Sequence, residues 1–239
     1  MANRKFLRPT WAEVELSALR NNLIKARSLA GRARVMFVVK AGAYGHGAAE
    51  TAAFVEREKL AWGFGVSSVE EGLALRSAGI VSPVLVLGSL YPFDSFVEAI
   101  NGGLMVTIAS MEAARQVIEA SRAAGRKAVC HVKLETGMGR IGARKPAALE
   151  IFGALSASGA AEPAGLYTHL ACADSDPAFT AEQLGYFSET VSALPAAAAA
   201  GVAKHAANSA ALVHHPESRL DMVRVGLAAY GMMDGFEPV

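Results

Sequence analysis

The chain has 239 residues with 23 Lys plus Arg against 22 Asp plus Glu, a formal net charge of +1, and only 7% aromatic residues. Such a balance lacks the basic excess that neutralises nucleic-acid phosphates, and it leaves little surface for base stacking, so a nucleic-acid partner is not expected. Hydrophobic residues make up 52%, enough for a large core without staples. No run of about 18 uncharged apolar residues reads as a membrane span. The two cysteines, Cys130 and Cys172, form no C-x-x-C pair. With no secretory signal they read as small core residues of a chain in the reducing cytoplasm.

In chain order, short apolar runs alternate with amphipathic segments. A helix is expected over Ser17–Leu29, followed by a strand V-M-F-V-V-K from Val35. Further strands are expected at A-W-G-F-G-V from Ala61, P-V-L-V-L-G from Pro83, M-V-T-I from Met105, A-V-C-H-V-K-L from Ala128 and A-G-L-Y-T-H-L from Ala164. A-K-H-A-A-N from Ala203 and M-V-R-V-G-L from Met222 make eight. Helices are expected over Ser68–Ala78, Ser110–Ala124, Pro146–Ser156 and Thr180–Leu194. Ser68 with Glu71 forms a capping-box pattern, and Gly79 and Gly125 stand at helix stops. The Ala-rich run Leu194–Ala203 reads as a helix end and connection. Continuous apolar strands between helices imply a parallel sheet covered on both faces. Eight of them, in a length close to the ~250 residues typical of the class, favour a (β/α)8 TIM-type barrel. No helix follows the last strand, so the N-terminal helix is expected to cover that gap.

Chemistry in such barrels sits at the C-terminal ends of the strands. Lys40, Arg140, His169, His205 with Asn208 and Ser209, and Arg224 with Gly226 all fall there. Alone, Lys40 reads as a strand-end lysine that snorkels to solvent. In a barrel interior, however, lost hydration would free the neutral amine that a Schiff base needs. Tyr44 offers a hydroxyl to a phosphate, and Gly45 and Gly47 allow close backbone approach. Asn208 and Ser209 open a helical stretch and read as a cap or as an anion site. His169 and His205, seen alone, are satisfied core histidines. No His, Cys and Asp spacing gives a zinc site.

The string V-V-K-A-G-A-Y-G-H-G resembles the pyridoxal 5'-phosphate (PLP) attachment motif of alanine racemases. W-A-E-V-E-L, K-L-E-T-G-M-G-R-I-G, G-L-Y-T-H-L-A, H-A-A-N-S-A-A and M-V-R-V-G-L-A-A-Y-G match in the family order across nearly the whole chain. Two positions depart: Gly42 stands where the family usually has Asn, and Glu135 where it usually has Asp. The resemblance implies a PLP fold type III barrel acting on alanine, in a cytoplasmic homodimer supplying D-alanine for peptidoglycan. It makes Lys40 the cofactor-bearing residue and one catalytic base. Arg224 would face the pyridine nitrogen. Tyr44, Ser209 and the N–H groups of Gly226 and Leu227 would hold the phosphate, with Asn208 beside them. Arg140 would reach the cofactor's phenolic oxygen and the substrate carboxylate, and Lys133 aligns with a position that is carbamylated in some members. His169 and His205 would both contact Arg224 as a relay, and Leu87 would form a pocket wall. In the family the second base is a tyrosine of a C-terminal β domain of the partner subunit, and residues 1–239 contain no such domain. The barrel alone is therefore expected to bind PLP and racemise alanine poorly. Alternatives are a non-catalytic PLP-carrying barrel, a serine or broad-specificity racemase, and a barrel with no cofactor.

Overall fold

The computed structural model describes residues 10–195, 199 and 201–236. A helix, α1 (Leu16–Ala30), precedes strand β1 (Arg34–Val38). Then follow α2 (Ala48–Arg57), β2 (Gly63–Val66), α3 (Val69–Ser77), β3 (Val84–Val86), α4 (Phe93–Asn101), β4 (Met105–Ile108) and α5 (Met111–Ala124). The second half runs β5 (Ala128–Lys133), α6 (Lys145–Ser158), β6 (Ala161–Tyr167), α7 (Pro177–Ser192), β7 (Ala203–His205), α8 (Ser209–His214) and β8 (Met222–Val225). All neighbouring strands are parallel, in the order β7-β6-β5-β4-β3-β2-β1-β8. The β1–β8 pairing sets Met36 opposite Arg224. Between β7 and β8 there is no regular ladder among the described residues. Asp221 N–H to Lys204 O and Arg224 N–H to Ala207 O, both 3.0 Å, draw that seam together. The result is a nearly closed eight-stranded barrel, as the alternation of elements predicts.

Local chemistry explains the helix ends. The Ser110 hydroxyl accepts the N–H of Ala113 at 3.1 Å, an N-cap worth about 1 kcal/mol, and Gly125 closes α5 in the left-handed region. Ser68 likewise accepts from the N–H of Glu71. The capping box is only half formed, however, because the Glu71 carboxylate binds other groups. Strand β6 begins three residues before the expected Ala164, with a register shift opposite Cys130 and His131. Cys172 lies beyond the end of β6 on a loop, half-buried, rather than in a strand as the apolar run suggested. The Leu194–Ala203 run lies partly outside the described residues. After β8 the 3-10 turn Leu227–Tyr230 is the only regular element among the described residues, and α1 covers it: Asn22 Nδ2 donates to Ala229 O at 3.1 Å.

The barrel holds two apolar layers. The larger lies between strands and helices, with Phe37, Phe64, Phe96 and Leu155 fully buried. A separate cluster of Met36, Leu85, Met105 and Met222 fills the lumen toward the strands' N-terminal ends. Above it the inward positions turn polar: Thr107, His131, Lys133, Tyr167 and Arg224 are all buried. Apolar floor and polar ceiling place the chemistry at the strands' C-terminal ends.

Candidate active site

A cavity of about 850 Å³ opens there. Lys40, Tyr44, Leu87, Lys133, Arg140, His169, Asn208, Ser209, Arg224, Gly226 and Leu227 all line it. His205 is buried behind the wall and acts through Arg224.

Lys40 sits two residues past β1, at the start of a left-handed turn. Ala41, Gly42, Ala43 and Tyr44 have φ of 52°, 64°, 57° and 53°. For residues with a Cβ this region costs roughly 1–2 kcal/mol each. Glycine and asparagine tolerate it best, which accounts for the exchange of one for the other at position 42. The turn swings Tyr44 back over the cavity, with Lys40 Nζ 5.8 Å from its ring centroid. Tyr230 braces it, stacking at 5.0 Å on Tyr44 and 4.7 Å on His46 while its hydroxyl donates to Val38 O at 3.0 Å.

Beside Tyr44 lies the β8 loop. A Cβ on Gly226 would stand 2.9 Å from the Tyr44 hydroxyl, so only glycine fits without displacing it. Ser209 Oγ accepts the N–H of Gly226 at 3.0 Å and of Ala228 at 3.2 Å, so the hydroxyl proton remains available to donate. The Gly226 N–H, expected to point at a phosphate, is thus relayed through Ser209. Asn208 caps α8 by accepting the N–H of Ala211 at 2.9 Å and tethers the loop after β6 through Leu170 O at 3.1 Å.

Arg224 is fully enclosed and has no carboxylate partner among the described residues. Its NH1 donates to His205 Nδ1 at 2.9 Å and His205 O at 3.1 Å, and its NH2 to Thr168 O at 2.7 Å and Ala206 O at 2.9 Å. Burial lowers its pKa to about 10, so it stays protonated at neutral pH. Four of five N–H groups are thereby satisfied. Among the described residues no acceptor takes the fifth, on Nε, and Arg224 lines the cavity.

These contacts fix the histidine protons. His205 accepts at Nδ1, so its hydrogen is on Nε2, which donates to His131 Nδ1 at 2.9 Å. Burial, then the Arg224 charge, holds His131 down at about 4 and His205 well below its usual value. His205 also stacks flat on Tyr167 at 4.6 Å. The relay therefore runs Arg224–His205–His131. The expected His169–Arg224 contact is not among the hydrogen bonds of the described residues: the guanidinium is taken up by His205 and by the carbonyls of Thr168, His205 and Ala206. It faces the cavity as a neutral imidazole, its pKa lowered to about 3 by burial and by Arg224, Lys133 and Arg140. Sequence reading missed His131 by treating A-V-C-H-V-K-L as one apolar run. Its signal was the two-residue period it shares with Lys133, which puts both in the lumen. Gly165 accommodates it: a Cβ there would lie 2.1 Å from the His131 ring.

Two further cations complete the site. Lys133 is 4% exposed, and burial, then Arg224 and Arg140, lowers its pKa to about 8. Arg140 stands exposed at the mouth on the glycine-rich loop. That loop folds around Glu135, whose carboxylate accepts the N–H of Gly137 at 2.5 Å and of Gly139 at 3.0 Å. Burial pushes the Glu135 carboxyl up, but these backbone N–H groups outweigh it and hold it low. Glu135 shapes the loop rather than facing the cavity, so its departure from Asp leaves the cavity wall intact.

Residues 14–234 match the family model of the alanine racemase N-terminal domain. The alanine racemase of Symbiobacterium thermophilum is 41% identical over 229 residues, which is 95% of this chain and 60% of that protein. That of Desulfosudis oleivorans is 38% identical, with 95% and 60% covered. The structure superposes on Clostridium difficile alanine racemase in complex with cycloserine with a TM-score of 0.88 at 34% identity, covering 97% of this chain and 64% of that one. Against the Bacillus anthracis enzyme with bound L-Ala-P the TM-score is 0.85 at 30% identity, with 97% and 60% covered. The chain thus spans about 60% of the length of the curated relatives it matches. On this match, its motifs and its barrel, the chain belongs to the alanine racemase N-terminal domain family.

Proposed function

We propose that this barrel is the cofactor-binding domain of an alanine racemase, holding PLP on Lys40 and using Lys40 as one of two bases that interconvert L- and D-alanine. The observation that carries the proposal is the donor set on one wall. A lysine, two hydroxyls and a buried guanidinium with one unclaimed N–H converge on a cavity large enough for a phosphorylated ring. These residues fit PLP. Tyr44 and Ser209 can donate to a phosphate beside Gly226, where any Cβ would intrude. The Arg224 Nε–H can donate to a ring nitrogen without surrendering its proton.

When bound, PLP supplies an electron sink for the substrate α-carbon. Arg224 moderates that sink, because a guanidinium that stays protonated leaves the ring nitrogen without a proton. Lys40 takes or returns the α-proton at Nζ on one face. Arg140, at the mouth, orients the substrate carboxylate, and a carbamylated Lys133 would hold Arg140 by an ion pair. The opposite face takes a tyrosine from a C-terminal β domain of a partner subunit, so the full enzyme is a cytoplasmic homodimer supplying D-alanine for peptidoglycan. The barrel alone binds PLP and turns over slowly. The test is PLP uptake followed by absorbance, borohydride reduction and peptide mapping. The label is expected on Lys40 and absent from Lys40→Ala. A label elsewhere, or retained yellow absorbance in Lys40→Ala, refutes the proposal.

A further inference from the structure

The turn that carries Lys40 is fastened by a side chain whose position suggests a different task. Glu71 is the third residue of α3, where a carboxylate ordinarily turns back to the N–H of the capping serine. Instead its Oε1 accepts the N–H of Ala41 at 2.7 Å. Its Oε2 accepts the Ser67 N–H at 2.7 Å and the Ser67 hydroxyl at 2.8 Å. One carboxylate thus joins the peptide directly after Lys40 to the loop after β2, whose Ser67 lines the cavity. The joined turn is the left-handed one. Three of its four residues carry a Cβ, so their own preferences do not favour the backbone they adopt.

We propose that Glu71 is a positioning residue for Lys40, setting the direction of its Cα–Cβ bond by anchoring the peptide that follows. This rests on reading Lys40 as the PLP attachment residue. A lysine that must both bond to PLP and meet a proton on one face works only from a fixed backbone, and the Ala41 N–H is the nearest handle on that backbone. A glutamine at 71 has one acceptor oxygen and one NH2 group. The NH2 would face either the Ala41 or the Ser67 N–H, both donors, so one side of the bridge must open.

The test compares Glu71→Gln with Glu56→Gln. Glu56 makes the same kind of bond at the far end of the barrel, its Oε1 accepting the N–H of Val81 at 3.1 Å and of Ser82 at 2.7 Å. It is not part of the Lys40 turn. The rate of covalent PLP uptake at Lys40 is expected to fall about tenfold in Glu71→Gln, the worth of one charge-assisted hydrogen bond, and to stay within about twofold in Glu56→Gln. Any other pattern, including an equal loss in both, overturns the proposal. Ser67→Ala, which removes one of the three bonds and keeps the carboxylate, serves if Glu71→Gln does not fold. Its expected loss is about threefold, and wild-type uptake overturns the proposal. If the wild-type chain takes no PLP, the attachment reading fails and amide exchange decides the anchoring. Faster exchange at residues 41–45 in Glu71→Gln but not in Glu56→Gln sustains it, and unchanged exchange overturns it.

Discussion

Acidification is expected to unfold this barrel through its histidines. His131 and His169 are held at about 4 and about 3, and His205 well below its ordinary value, by burial first and the Arg224 charge second. In the unfolded chain each titrates near 6.5. Between the folded values and 6.5 the unfolded chain binds protons that the folded chain refuses. Stability therefore rises with pH across that window and is lost as pH falls. At about pH 5 the loss is roughly 2 kcal/mol for each of His131 and His169, about 4 kcal/mol together, and His205 adds to it in the same direction, a large share of the 5–15 kcal/mol of a typical domain. Carboxylates held low by hydrogen bonds, such as Glu135, are still ionised there and add little. Urea unfolding followed by circular dichroism at about pH 7 and about pH 5 measures the difference. His131→Asn keeps an acceptor for the His205 Nε2–H but removes one titrating group, so the slope should fall by up to about 1.4 kcal/mol per pH unit. A total change below about 2 kcal/mol, or an unaltered slope in His131→Asn, refutes the neutral-histidine network.

Other consequences follow from single contacts. With its pKa near 8, Lys133 is roughly a quarter neutral at about pH 7.5, against about one part in a thousand for an ordinary lysine. 13C-bicarbonate should give a carbamate resonance that Lys133→Arg lacks, and its absence from the wild type refutes the modification. Gly165→Ala puts a Cβ 2.1 Å from the His131 ring and should cost about 3 kcal/mol or prevent folding. Gly153→Ala, on α6 with nothing within 4 Å of its Cβ, should stabilise by about 0.5–1 kcal/mol. Thermal unfolding ranks the two, and a milder effect at 165 than at 153 contradicts the packing. Gly226→Ala should weaken PLP binding about tenfold by displacing Tyr44, while leaving unphosphorylated pyridoxal unaffected. Equal losses for both would mean that this corner does not hold a phosphate.

The strands and most helices were readable because burial imposes a period, and the barrel followed from their alternation. The cavity wall was readable too, since Lys40, Ser209 and Gly226 follow strand ends and Arg224 stands one residue before one. What escaped depended on direction. Ala41, Ala43 and Tyr44 carry no left-handed preference, so nothing local announces the turn they form. Ser68 and Glu71 spell a capping box, yet the carboxylate finds better donors in the turn after the neighbouring strand β1 and in its own loop at Ser67. His169 and His131 trade places in the relay for a similar reason. Which histidine meets His205 depends on strand register, and the β5–β6 register shifts beside His131. Helix α2 and helix α4 were not singled out; they lack the capping serine that opens α3 and α5.

The unladdered seam between β7 and β8 bears on the order in which the molecule assembles. Arg224 crosses that seam, bonding to carbonyls of Thr168, His205 and Ala206, while its strand pairs with β1 on the other side. The guanidinium therefore acts as the clasp of the ring as well as part of its lining. A ring clasped by its last strand cannot offer a finished site to any ligand while earlier strands are folding, whether on the ribosome or in refolding. Closure of the ring and completion of the cavity are thereby one event, because the same guanidinium serves both.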